Sequence, residues 1–497
     1  MNAAERSRLL YRRQYIYGLE MDGFSNWNHL HLPNGYTLAS HPDLDCTRLQ
    51  SDGKTLVLLG YMLDPYAPEV NNQTILANLC READDQNRLL ERLDSIAGRF
   101  ILFVFSDLSQ YVVTDATGLR QVFYHRTPQG ALWLAAQPGL LQQQFNFQYS
   151  AEAQSFLQSP AIVNSHEPWW PGTSTPFAEI SHLLPNHVLD LRSGEVRRFW
   201  PVKPLVHQEY HKGAEKSATL LKGIMRAANQ RFDLAMALTG GYDSRIVFAA
   251  CREFVTDLHL FSMIYHKLTT QSSDIRVAAQ LAEIAQMPHQ VFACDQAMDE
   301  DFAYLYTHNL EKSYQSYGHI VYGRYLHLDQ KLVVVKSVVN EIARCFYYRT
   351  GVYPYRINTE LLCRVSKLGD HPFVQKHLSA WLDDAAPAEK LGYKLLDLYY
   401  WENRNANWQA MSQLEFDLAN EEFTPFDHRE LLTTMLGVNH KYRCMPKNRF
   451  QRELVRQSWL ELDAIPYNPT SKVIRKPFYE GPWLNAARWI KYHLITR

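Results

Sequence analysis

One segment concentrates more chemistry than any other: Leu234-Ala235-Met236-Ala237-Leu238-Thr239-Gly240-Gly241-Tyr242-Asp243-Ser244-Arg245-Ile246-Val247. An apolar run meets Thr-Gly-Gly, then Asp-Ser, and an apolar-periodic helix begins at once. Paired glycines let the backbone approach a bulky anion, because no Cβ stands in the way. The N–H groups that open the helix attract negative charge. The hydroxyls of Thr239 and Ser244 can donate to phosphate oxygens. A carboxylate at Asp243 would repel phosphate unless it held a cation such as Mg2+ against it. The bland alternative is a Gly-Gly turn with Asp243 or Ser244 as a helix cap. The whole string in its strand–loop–helix setting favours a nucleotide phosphate.

The segment resembles the pyrophosphate loop of the asparagine-synthetase branch of the ATP pyrophosphatases, S/L-x-G-G-x-D-S. It is not a Walker loop, which needs Gly-Lys-Ser/Thr, nor a dinucleotide fingerprint with three spaced glycines. The resemblance extends along the chain. Gly98-Arg99-Phe100, Asp115 to Tyr124 and Leu184-Pro185-Asn186-His187 are similar to stretches of the family's N-terminal amidotransferase domain. Phe261-Ser262-Met263 fits the strand whose backbone meets adenine, and Asp274 with Ala278, Ala279 and Leu281 fits the helix after it. Glu415-Phe416-Asp417 and Phe423 to Arg429 resemble a later family stretch. The resemblance implies nucleotide contacts from Leu238, Thr239, Gly240, Gly241, Asp243, Ser244, Ser262 and Met263, with ATP and Mg2+ as cofactors.

Two departures bear on chemistry. The family's glutaminase uses an N-terminal cysteine; position 2 here is Asn2, and the nearest cysteine is Cys46. A shell domain without glutaminase activity is the expectation, similar to that in β-lactam synthetases and lasso-peptide cyclases. After Val333-Val334-Val335, relatives carry S-G-E-G-x-D-E. This chain has Lys336-Ser337-Val338-Val339-Asn340-Glu341-Ile342-Ala343-Arg344. Asn340 falls where the metal-binding aspartate stands, and Ser337 where the catalytic acid stands. Glu341 either supplies the second metal ligand beside Asp243 or pairs with Arg344 three residues on. In Asn468 to Lys476 the relatives place a lysine that stabilises adenylate and pyrophosphate charge. Lys472 is first by position, Arg475 and Lys476 are rivals, and a solvated basic loop is the plain alternative. Tyr399 to Arg404 with Trp408 would bring Glu402 and Arg404 near an acceptor pocket, whereas Tyr400, Trp401 and Trp408 read as core.

Elements must position these groups. Short apolar runs at 55–59, 99–105, 111–114 and 131–135, divided by turn residues, make the first two hundred residues strand-rich, with a helix near 84–96. From about 214 strands and helices alternate, which demands a parallel sheet with helical crossovers. Beyond about 347 the pattern is mainly helical. The fold class expected is α/β. Residues 1–203 form an α+β, Ntn-type sandwich-like amidotransferase-like domain. Residues 204–497 form a parallel-sheet synthetase domain of the adenine nucleotide α-hydrolase-like kind, with a helical C-terminal part.

With 497 residues, two domains are the natural expectation. Lys and Arg number 51 against 52 Asp and Glu, a balance that disfavours nucleic acid as partner. No cysteine pair suggests zinc or a disulfide framework, and no apolar run reaches membrane-span length. A cytoplasmic protein is expected, with a homodimer left open. The reaction implied is ATP-dependent joining of a small-molecule, peptide or saccharide carboxylate to an amine or ammonia through an acyl-adenylate. Two readings compete: a non-catalytic relative that binds nucleotide or a partner protein, and an RNA-modifying pyrophosphatase, the latter disfavoured by the lack of a catalytic cysteine pair.

Overall fold

The computed structural model describes residues 3–469, apart from 22, 166 and 312–316. Lys472, Arg475 and Lys476 lie outside the described residues. The first part of the chain holds two six-stranded antiparallel sheets laid face to face. Strands Lys54–Leu63 and Ala97–Phe105 pair in full register, Thr55 opposite Phe105 and Leu63 opposite Ala97. Side chains alternate across a strand. Val57, Leu59, Ile101 and Phe103 therefore meet Tyr15, Tyr17, Leu132 and Leu134 of the other sheet. Leu56, Leu58, Leu102 and Val104 turn the opposite way, against helices Asn72–Cys80 and Gln86–Arg92 and the rest of the molecule. With both faces covered, the strand has no polar alternation, which is why it reads as a continuous apolar run. Gly98 has a φ of +136°, and a Cβ there would lie 2.1 Å from the carbonyl oxygen of Tyr61, so only glycine fits.

The second part is built on a five-stranded sheet in the order His289–Ala293, His259–Ile264, Leu234–Ala237, Val333–Val335, Glu422–Phe423. Every neighbouring pair is parallel. The chain adds two strands on one side of Leu234–Ala237 and then returns to add two on the other. That reversal makes the carboxyl end of Leu234–Ala237 a topological switch point, where open α/β sheets leave a crevice. Helix Tyr210–Arg231 leads into the first strand, and helices Tyr242–Ala250 and Ser273–Ile284 supply crossovers. From Thr359 onward helices dominate, including Pro372–Ala385 and Arg449–Ser458. The α/β class holds: an antiparallel two-sheet sandwich, a parallel sheet and a helical C-terminal part. One element departs from the mainly helical expectation beyond residue 347, the short fifth strand Glu422–Phe423.

The two parts share an extensive polar contact. Helix Tyr400–Gln409 has the wide i→i+5 winding, a form that recurs at functional sites. Its buried Trp401 donates Nε1–H to the carbonyl of Ala116 at 2.8 Å, and Asn405 donates to that of Thr117 at 3.0 Å. Asn403 accepts from the N–H of Gly172 at 2.9 Å. Among the described residues no helix is long and apolar enough to cross a membrane.

Candidate functional site

The Thr239–Ser244 loop stands at the switch point, and its two glycines have different tasks. Gly240 is buried, and a Cβ there would meet Asp274 Oδ1 at 2.8 Å. Its N–H donates to that same oxygen at 3.1 Å. Gly240 thus lets helix Ser273–Ile284 close on the loop. Gly241 is half-exposed, with nothing nearer than 3.4 Å to its missing side chain. It precedes helix Tyr242–Ala250, which has no side-chain cap. The first-turn N–H groups, from Tyr242 onward, therefore remain as donors for an anion at an open mouth. Thr239 Oγ1 and Ser244 Oγ lie 2.8 Å apart and steady the turn. Leu238 is buried, and its carbonyl accepts from Ser262 Oγ at 2.7 Å. The Ser262 hydroxyl also meets His289 Nε2 at 2.9 Å, so it ties neighbouring strands. Met263 follows on the same strand, half-buried at its carboxyl end.

Asp243 lies in the first helical turn and is engaged from the adjacent loop. Asn340 donates Nδ2–H to its Oδ1, and Arg344 forms an ion pair with its Oδ2. The structure thus sends Arg344 to Asp243 rather than to Glu341. Glu341 stays half-buried beside both, its buried Oε2 without a hydrogen-bond partner among the described residues. Burial first, and then the Asp243 carboxylate, push the Glu341 carboxyl up to about 7. Ser337 Oγ, Asn340 Oδ1 and Tyr347 Oη are likewise buried and unpartnered among the described residues. So many orphaned polar atoms in one place mark a polar site awaiting a partner. The connecting backbone is tight: Val339, β-branched, has a φ of +78°, and Cys345 one of +55°.

The structure separates the two helical candidates. Arg404 lies on the site side: its guanidinium is 4.5 Å from the Trp408 ring and 5.6 Å from that of Phe346, and it pairs with Glu167. Phe346 in turn packs on Tyr400 at 4.7 Å. Glu402 faces the other part of the molecule. It is wholly buried, ion-paired with Arg198 at 2.6 Å, and accepts from Asn186 and Trp381 at 2.9 Å each. Burial disfavours its charge, but Arg198 outweighs this and holds the carboxyl below its usual range. With its oxygens so occupied, Glu402 is an anchor between the two parts, which corrects its placement in an acceptor pocket.

Sequence reasoning missed three contributors: Arg245, the tail residues Tyr467 and Asn468, and Arg344. Arg245, buried behind the loop, donates to the carbonyls of Leu462, Ile465 and Pro466, and its guanidinium stacks 3.8 Å from the Tyr467 ring. Tyr467 stacks on Tyr242 at 4.3 Å, and Asn468, four residues before Lys472, donates its N–H to the Gly240 carbonyl at 2.9 Å. Arg344, read only as a local partner of Glu341, is the third. A buried-looking arginine directly after the Asp-Ser pair was the one available signal for the first.

Among the described residues no cluster of three or more His, Cys, Asp or Glu side chains could hold a metal alone. The oxygens present still suit Mg2+, which binds through one or two carboxylates plus phosphate oxygens. Asp243 and Glu341 would be those carboxylates, with the orphaned Asn340 Oδ1 beside them. The Glu341 shift carries a prediction for the ligand-free protein. A carboxyl raised in the fold contributes stability that is present below about pH 4.5 and is lost as pH rises to about 7. The difference is of the order of 3 kcal/mol. Glu341→Gln should therefore melt several degrees above wild type at pH 8 and show no such gain at pH 5, as read by fluorescence melts without nucleotide.

No family model matches the chain, and no curated protein does. Solved structures give distant likenesses. The structure of the allosteric regulatory enzyme of purine biosynthesis shares 9% identity over 58% of this chain and 61% of that one, with a TM-score of 0.23. Glutamine phosphoribosylpyrophosphate amidotransferase from B. subtilis, complexed with ADP and GMP, shares 11% over 68% and 73%, with a TM-score of 0.23. The NH3-dependent NAD synthetase of Campylobacter jejuni subsp. jejuni NCTC 11168, in complex with nitrate, shares 11% over 42% and 93%, with a TM-score of 0.20. Superpositions this loose carry no inference about activity.

Proposed function

We propose that the chain is an ATP-dependent carboxylate–amine ligase of the asparagine-synthetase type, forming an amide through an acyl-adenylate with release of AMP and pyrophosphate. One observation carries the reading: an uncapped helix N-terminus opens at the switch point of a parallel sheet, with Asp243 in its first turn and orphaned polar groups beside it. In this reading ATP lies over Thr239–Ser244, its phosphates facing the helix N–H groups. Asp243 and Glu341 would hold Mg2+, which supplies charge neutralisation at the phosphates. The substrate carboxylate attacks the α-phosphorus and expels pyrophosphate; an amine or ammonia then attacks the acyl carbon and expels AMP. Positioning and electrostatics do most of the work. Arg404, held between two rings, would orient the acceptor or the carboxylate. Lys472, four residues beyond Asn468 in sequence, would supply the lysine that the resemblance implies.

Glutaminase activity is not part of the proposal. Cys46, exposed on the edge strand Cys46–Ser51, is an internal residue with no α-amino group of its own to serve as base. The second reading, a nucleotide- or partner-binding relative without turnover, draws on the Asp243–Arg344 ion pair, which occupies the carboxylate that should face a cation. Pyrophosphate release from ATP and magnesium, measured across panels of carboxylic acids and amines, separates the two. Release that depends on an acid supports the ligase. ATP binding without release under any pair supports the second reading.

A further inference from the structure

The turn that carries Arg344 is unusually determined. Asn340–Arg344 form one short helical turn, entered through Val339 and left through Cys345, both in the left-handed region. Non-glycine residues persist there only when their surroundings hold them. The turn delivers a guanidinium to Asp243, while Asn340, wholly buried, occupies the other carboxylate oxygen. The chain thereby neutralises Asp243 with its own cation. Arg344 keeps unused capacity: Nη1 is engaged by Asp243, yet Nε is buried without a hydrogen-bond partner among the described residues. The side chain is about one-fifth exposed and lies 5.7 Å from the Tyr242 ring, at the start of the uncapped helix.

An arginine has five donors in a rigid fork, suited to two oxygens of one phosphate. A triphosphate arriving at the helix N-terminus brings more negative charge than Asp243 offers, and so competes for this guanidinium. We propose that Arg344 is a nucleotide-binding residue of this site, contacting the phosphates directly and supplying positive charge beside whatever cation Asp243 and Glu341 hold. The inference rests on the ligase reading and names the group that holds its phosphates. Arg344 leaves Asp243 as the nucleotide enters and returns when pyrophosphate departs.

The test is calorimetric titration of the full chain with ATP and with pyrophosphate, in EDTA and in excess magnesium, for wild type, Arg344→Gln and Arg344→Lys. Charge-assisted contacts of this kind set the expected scale: Arg344→Gln should weaken ATP and pyrophosphate binding in EDTA by about 10- to 100-fold. Arg344→Lys, which keeps the charge but not the fork, should fall between. Binding by Arg344→Gln as tight as wild type or tighter would overturn the proposal and make Arg344 a plug on Asp243. If Arg344→Gln does not fold, Arg344→Lys decides alone, since undiminished affinity there removes the need for the fork. Wild type that binds neither ligand in either condition overturns the ligase reading itself, a result distinct from unequal or equal binding among the variants.

Discussion

Asp243→Ala should abolish pyrophosphate release from ATP at a small cost to the fold. A preorganised electrostatic group of this kind is worth about a hundred- to a thousandfold in turnover. Asp243 lies in the first turn of Tyr242–Ala250, at the mouth of the central strand, and is partly exposed. Removing its carboxylate leaves the Arg344 guanidinium without its ion partner, but that side chain reaches solvent and can be hydrated, so the melting temperature should drop by only a few degrees. Asp243→Asn is the sharper arm. It keeps the shape and an acceptor for Asn340 while losing the charge that steers a cation, and should be as inactive as the alanine variant. The measurement is a pyrophosphate-release assay paired with thermal melts. Wild-type turnover in either variant would rule out the metal role of Asp243, and with it the placement of the phosphates over this loop.

How much of this was legible follows from how local each feature is. The parallel sheet was readable because its inner strands are apolar runs separated by helical periodicity. The loop was readable because Gly-Gly followed by Asp-Ser at a strand–helix junction is a local string. The fifth strand was not: Glu422–Phe423 has two residues, and Glu422 is wholly buried only because Arg324 and Lys336 meet its carboxylate at 2.6 and 3.0 Å. Those partners are remote in sequence. Glu402 and Arg404 were read together as neighbours of a pocket, yet residues two apart on a helix do not share a face. Spacing alone could have said that at most one of them turns toward the loop; the Arg198 ion pair decides that it is not Glu402. Arg344 fails for the opposite reason. A local partner at i−3 was the natural reading, and the Asp243 carboxylate, brought alongside by the fold, made a stronger one.

The largest stability effect is expected far from the loop, at Asp417→Ala. Arg99, on the central strand Ala97–Phe105, reaches across to the second part of the chain. It grips Asp417 with both terminal nitrogens, at 2.6 and 2.8 Å, and both side chains are almost wholly buried. Glu421 alongside is shared by Arg99 at 3.1 Å, Arg120 at 2.9 Å and Arg13 at 3.2 Å. Deleting Asp417 leaves three buried guanidinium groups around one carboxylate. Breaking a buried pair from one side costs about 3–5 kcal/mol, because the remaining charge has neither water nor a partner. The melting temperature should fall by the order of 10 °C. The double variant Arg99→Met/Asp417→Leu should recover much of that loss, since apolar side chains of similar volume replace a buried pair at little net cost. Failure of the double variant to recover would show that the arginine is needed for more than its charge. Near-wild-type melting of Asp417→Ala would show that water reaches the network, and that the two parts of the chain are held together chiefly by the apolar and asparagine contacts around Trp401.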